Sequence, residues 1–89
     1  MARLELTPHL SRHLHCEPFA APAATVRDLL GIAFTRCPEL QTYLLDEHGC
    51  VRPHVVIFLD GQPIRDRQQQ SDTVQEQSSV FVMQALSGG

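Results

Sequence analysis

The chain has 89 residues, 43% of them apolar, which is enough for one small domain and leaves no room for a second core or a deep catalytic cleft. Its formal charge of −3 sets ten acidic residues against seven arginines that are scattered along the sequence, and the missing basic stripe argues against nucleic acid as a partner. The opening Met1-Ala2-Arg3-Leu4-Glu5-Leu6 has no signal-peptide core, and no run approaches the roughly 20 apolar residues of a membrane span, so the sequence predicts a cytoplasmic protein without membrane association.

In chain order, Leu4 and Leu6 alternate with Arg3, Glu5 and Thr7 in the period-two pattern of a half-buried strand, and Pro8-His9 favours a turn. A second extended piece is expected around His13 to Phe19, followed by a connector at Ala20-Ala21-Pro22-Ala23-Ala24, where Pro22 blocks a sheet ladder. Within that piece His13-Leu14-His15-Cys16 invites a metal hypothesis. On a strand, however, the two histidines share one face and Cys16 points to the other, and no second cluster completes a zinc set. No metal site is therefore expected. Cys16, Cys37 and Cys50 are odd in number and lack CxxC spacing, which reads as free thiols in a reducing compartment.

Thr25 is a plausible N-cap with Asp28 three residues on, and Val26, Leu29, Leu30, Ala33 and Phe34 recur on one face, predicting a helix from about Val26 to Arg36 that Pro38 stops. Leu40, Tyr43, Leu44 and Leu45 form a further apolar patch beneath it, and Asp46-Glu47-His48-Gly49 reads as a turn. Val55-Val56-Ile57-Phe58-Leu59 is the strongest strand signal and is expected to be central, although its inward face is not fixed by the pattern. Asp60-Gly61 suits a tight hairpin returning through Gln62-Pro63-Ile64 as a short edge piece. Arg65 to Ser79 is nearly all polar, with Val74 its one apolar anchor, and reads as a surface loop.

Val80 to Leu86 is apolar on both faces until Gln84, so this strand is either buried on both sides or keeps one face for a partner. A small sheet with a single helix covers only one of its faces, which favours the partner. The sequence then ends Leu86-Ser87-Gly88-Gly89. Two residues without Cβ atoms can thread a slot too narrow for side chains, and the last carboxylate becomes the candidate reactive group. The organisation predicted is a domain over residues 1–85 and a flexible tail over 86–89.

Strand, strand, helix, strand, short strand, strand and Gly-Gly is the order of a β-grasp (ubiquitin-like) domain of the α+β class, a mixed sheet of four to five strands with one main helix on one face. The chain resembles the MoaD/ThiS sulfur-carrier family of ubiquitin-like proteins over nearly its whole length. Leu4 to Leu10 is similar to the opening strand and turn, and Ala24-Thr25-Val26 to the helix entry. Leu44 to Gly49 with Val51-Arg52-Pro53 is similar to the stretch before the central strand, and Val55 to Gly61, Ile64-Arg65 and Gly88-Gly89 complete the resemblance. Two positions depart from the family pattern: Gln75-Glu76-Gln77-Ser78-Ser79 replaces the frequent Gly-Asp turn, and Asp60 stands where Asn is common.

The resemblance implies a carrier that is not itself an enzyme and binds no cofactor. Its Gly89 carboxylate would be adenylated by a ubiquitin-activating-type enzyme using ATP and Mg²⁺. A persulfide from a sulfurtransferase or cysteine desulfurase would convert it to a thiocarboxylate, which an acceptor synthase consumes. Leu86, Ser87 and Gly88 would bind in the partner's slot. By analogy with the ubiquitin-like fold, Val80 and Val82 face the helix, while Phe81, Met83 and Ala85 form the partner surface. Periodicity alone also allows the opposite assignment. Two rival functions are a modifier joined through Gly89 to target lysines and a non-catalytic β-grasp interaction module. The chain has no lysine of its own, so it could not build side-chain-linked polymers of itself.

Overall fold

The computed structural model describes residues 1–84. Its elements are β1 (Ala2–Leu6), α1 (Pro8–Leu14), β2 (Phe19–Ala21), α2 (Val26–Arg36), α3 (Pro38–Leu44), β3 (Val55–Leu59), β4 (Gln62–Pro63) and β5 (Ser79–Gln84). The five strands form one mixed sheet in the order β2-β1-β5-β3-β4, with β1 and β5 parallel and the other pairs antiparallel. This is the β-grasp arrangement, with the C-terminal strand in the middle. β3, expected to be central, lies beside β5 and one place from the edge, because β4 caps it through the Asp60-Gly61 hairpin. Both turn residues have positive φ, 50° and 87°, as a two-residue loop joining right-twisted strands requires. The Asp60 carboxylate also accepts the Ser79 amide at 2.9 Å and so ties the hairpin to the start of β5.

Register sorts the side chains into two faces. Leu4 lies between Phe19 and Val80, and Leu6 lies level with Val82 and Ile57. These residues, with Ala2 and Val55, meet Val26, Leu29, Leu30 and Ala33 of α2 and Leu40 and Leu44 of α3 in a single core. The face of β3 that the sequence left open is thereby settled: Val55 and Ile57 point inward, fully buried, and Val56 and Phe58 outward, half-buried.

Helix α2 has the predicted bounds. Thr25 Oγ1 accepts the Asp28 amide at 3.1 Å, and the Asp28 carboxylate accepts the Ala24 amide at 3.3 Å.

Three sequence expectations are corrected. The stretch Pro8–Leu14 is helical, whereas a turn and then an extended piece were expected. Thr7 caps it by accepting the Leu10 amide, Pro8 occupies the first turn, and Leu10 and Leu14, four apart, both enter the core. Only Phe19–Ala21 remains extended.

The polar run 65–79 is an organised connector in which Gln70, Val74 and Ser78 are buried. Asp66 and Asp72 carboxylates accept its turning amides, and the Gln70 side-chain amide donates to the Gly49 and Arg67 carbonyls at 3.1 and 3.0 Å. Arg67 donates to the Arg52 and Val55 carbonyls, at 2.7 and 2.8 Å.

Finally, Cys16 and Cys37 are joined in a disulfide with Cα atoms 6.2 Å apart, and only Cys50 is a free thiol. The helical turn of α1 brings Cys16 back to the α2–α3 junction, a proximity that sequence spacing does not reveal.

Candidate functional site around strand β5

The helices cover one sheet face, and the other presents the outward residues of β1, β5 and β3. Phe81 of β5 lies level with Glu5 on one side and Phe58 on the other, and Met83 is opposite Val56. Phe81, Met83, Val56 and Phe58 are all half-buried, whereas Val80 and Val82 are fully buried. The expectation that Phe81 and Met83 occupy the open face therefore holds. The structure adds Val56 and Phe58, which the sequence could not assign because β3 is apolar on both faces. Together these four side chains make an apolar patch of two cross-strand pairs. Its border on β1 is charged: Arg3 and Glu5 form an ion pair at 2.6 Å.

Where β5 ends, Gln84 accepts a hydrogen bond from the Tyr43 hydroxyl, which anchors the strand terminus to α3. Tyr43 sits in a row of rings. His13 lies 6.3 Å from it and is stacked on His9, also at 6.3 Å, and His54 meets Tyr43 edge-on at 6.1 Å. None of these rings was singled out from the sequence as part of the site, since they come from α1, α3 and the entry to β3. Ala85, Leu86, Ser87, Gly88 and Gly89, the remaining sequence-derived site residues, lie outside the described residues.

The metal hypothesis also changes footing. His13 is on a helix, His15 is its left-handed cap, and Cys16 is bound to Cys37. Among the described residues no group of three or more His, Cys, Asp or Glu is arranged to hold a metal ion. Two carboxyls are held below their ordinary range by hydrogen bonds. The Cys50 and His48 amides hold Asp46, and the Ser71 hydroxyl and the Gln69 amide lead for Asp66. Both belong to turns and not to the patch.

What this arrangement offers is an open apolar face made by β3 and β5, the last described strand. Solved structures share the fold. The Amycolatopsis orientalis BexX/CysO complex contains a chain similar to this one with a TM-score of 0.83 and 17% identity, covering 100% of both chains. Haloferax volcanii SAMP1 superposes with a TM-score of 0.81 and 16% identity over 99% of this chain and 98% of that one. Sulfolobus solfataricus Urm1 gives 0.67 and 11%, over 92% and 97%. No curated protein sequence matches. The sequence does match the family described as the ThiS family over residues 12–89. The chain therefore belongs to the ThiS family, and its fold is the ubiquitin-like β-grasp of these structures.

Proposed function

We propose that the protein is a sulfur carrier whose reactive group is the Gly89 carboxylate. A ubiquitin-activating-type enzyme, using ATP and Mg²⁺, converts that carboxylate to an acyl-adenylate and so turns a poor electrophile into a mixed anhydride. A persulfide delivered by a sulfurtransferase or cysteine desulfurase displaces AMP. The terminal persulfide sulfur is then held in an acyl disulfide, whose S–S bond a second thiol cleaves: that thiol forms a disulfide with the donor's sulfur, and a thiocarboxylate is left on Gly89 for an acceptor synthase to consume in a cytoplasmic biosynthetic pathway. The carrier contributes position. Docking through Phe81, Met83, Val56 and Phe58 raises the effective concentration of the tail at the active site of another protein. Leu86, Ser87 and Gly88 lie in the partner's slot, where residues without Cβ atoms pass most easily.

The observation that carries this reading is the family match, which runs through Gly88 and Gly89. The open apolar face beside β5 supports it, because four half-buried apolar side chains gathered on a sheet face that no helix covers make a contiguous patch suited to a partner. A second reading, conjugation of Gly89 to lysines of target proteins, is favoured by the likeness to small archaeal modifier proteins.

One experiment separates the two. The protein is incubated with a candidate activating enzyme, ATP and a persulfide source, and its intact mass is measured. A gain matching replacement of one oxygen by sulfur, localised to Gly89, supports the carrier. A covalent adduct with a second protein supports the modifier. Deletion of Gly89 should abolish either product while leaving the fold intact, and retained activation of that variant would exclude the tail mechanism.

A further inference from the structure

The Cys16–Cys37 disulfide is set into the wall of an open cavity of about 560 Å³, which Arg12, His15, Glu17, Phe19 and Arg36 also line. The two sulfurs are not equivalent. Cys16 is 3% exposed and packs with the core, whereas Cys37 is half-buried and also borders an adjoining depression with His15, Arg36 and Glu39. A nucleophile arriving from solvent therefore meets Cys37. Arg36 is held in place by its guanidinium stacking 4.5 Å from the centre of the Phe19 ring. Among the described residues no carboxylate pairs with Arg12 or Arg36, so two guanidiniums face the cavity against the single carboxylate of Glu17.

We propose that this cavity is a thiol-exchange site, at which a small anionic thiol forms a mixed disulfide with Cys37 and releases Cys16. The incoming thiolate supplies the electron pair of the new S–S bond. The pair of the Cys16–Cys37 bond leaves with the Cys16 sulfur, which takes a proton from water. A second thiol attacking the mixed disulfide frees Cys37 and yields the disulfide of the small thiol, so that two thiols are oxidised as one protein disulfide is reduced. The selectivity comes from the cavity, because the protein as a whole carries a formal charge of −3 and its long-range field favours a cationic reagent. The inference involves neither Gly89 nor the activating enzyme, and it stands or falls apart from the carrier reading.

The test exposes the folded, oxidised protein at low ionic strength to mercaptoethanesulfonate, mercaptoethanol or cysteamine. Reaction is quenched with acid and followed by intact mass and peptide mapping, with rates compared per thiolate. Mercaptoethanesulfonate should react on the order of tenfold faster than cysteamine, with the adduct on Cys37 and a preference that shrinks as salt is added. The preference should vanish in the Arg12→Gln/Arg36→Gln double variant and persist in Arg27→Gln/Arg65→Gln, which removes the same charge outside the cavity. A cationic or absent preference, a preference that survives loss of both cavity arginines, or an adduct on Cys16 would overturn the proposal. So would folded protein in which Cys16 and Cys37 stay unpaired under mild oxidation.

Discussion

The division of β5 into a buried and an open face predicts that two adjacent residues respond to truncation in opposite ways. Val82 is fully buried, level with Leu6 and Ile57 in the sheet. Val82→Ala removes two carbons worth about 0.8 kcal/mol each in transfer, and the unfilled space brings the total to about 2 to 3 kcal/mol. For a domain of this size each kcal/mol moves Tm by about 4–8 °C, so Tm should fall by roughly 10–20 °C. Phe81 is half-buried on the uncovered face, and Phe81→Ala opens no enclosed cavity. It forfeits the cross-strand pair with Phe58, about 0.2–1 kcal/mol, and the covered part of its ring, about 1 kcal/mol more, for a Tm fall of roughly 5–15 °C. Docking should show the reverse order. Truncating an aromatic anchor costs about 2 kcal/mol or more, roughly 30-fold in affinity, whereas Val82 touches no partner. Thermal unfolding gives the first comparison, and the carrier concentration at half-maximal pyrophosphate release by the activating enzyme gives the second. A larger Tm loss for Phe81→Ala than for Val82→Ala would refute the face assignment. An unchanged half-maximal concentration for Phe81→Ala would refute the docking surface while leaving the fold assignment intact.

The other predictions concern stability. Gly31 lies exposed within α2, and a Cβ built there meets nothing within 4 Å, so Gly31→Ala should raise the urea midpoint by the equivalent of about 0.5–1 kcal/mol with an unchanged m value. A loss of stability would point to an unrecognised contact at that face. Reducing the Cys16–Cys37 bridge, which spans 21 positions, should cost about 3 kcal/mol by loop entropy. An identical urea midpoint with and without reductant would refute a bridge in the native state. The Asp66 carboxyl is held below its ordinary value of 3.8, so its contribution is complete above about pH 4 and is lost as pH falls through the lower folded value. Asp66→Asn should therefore weaken the protein at neutral pH and flatten the acid limb of its stability profile, read as urea midpoint against pH. An unaltered limb would show that this turn does not contribute.

What the sequence disclosed follows from the range of the forces involved. Helix α2 and strands β1 and β3 are written in local pattern, a capping residue followed by helical spacing in one case and runs of strand formers in the others, and they fold where that pattern places them. The signals for α1 are also local, with Thr7 as cap, Pro8 at the start and Leu10 and Leu14 four apart, but a proline after a strand suits a turn and a first helical position equally, and only the packing of Leu10 and Leu14 decides for the helix. The Cys16–Cys37 bridge, the aromatic row through Tyr43 and the seating of Gln70 against Gly49 join residues with no local signature, and only the packed topology brings them together. The open face lies between these cases. Period two fixed that Phe81 and Met83 differ from Val80 and Val82, but not which pair was buried, and β3, apolar throughout, carried no alternation to break the tie. A strand that is apolar on both sides is uninformative about its own orientation because both of its faces are used. In β3 and β5 one face packs against the helices, and the other carries the apolar patch that we propose as the docking surface.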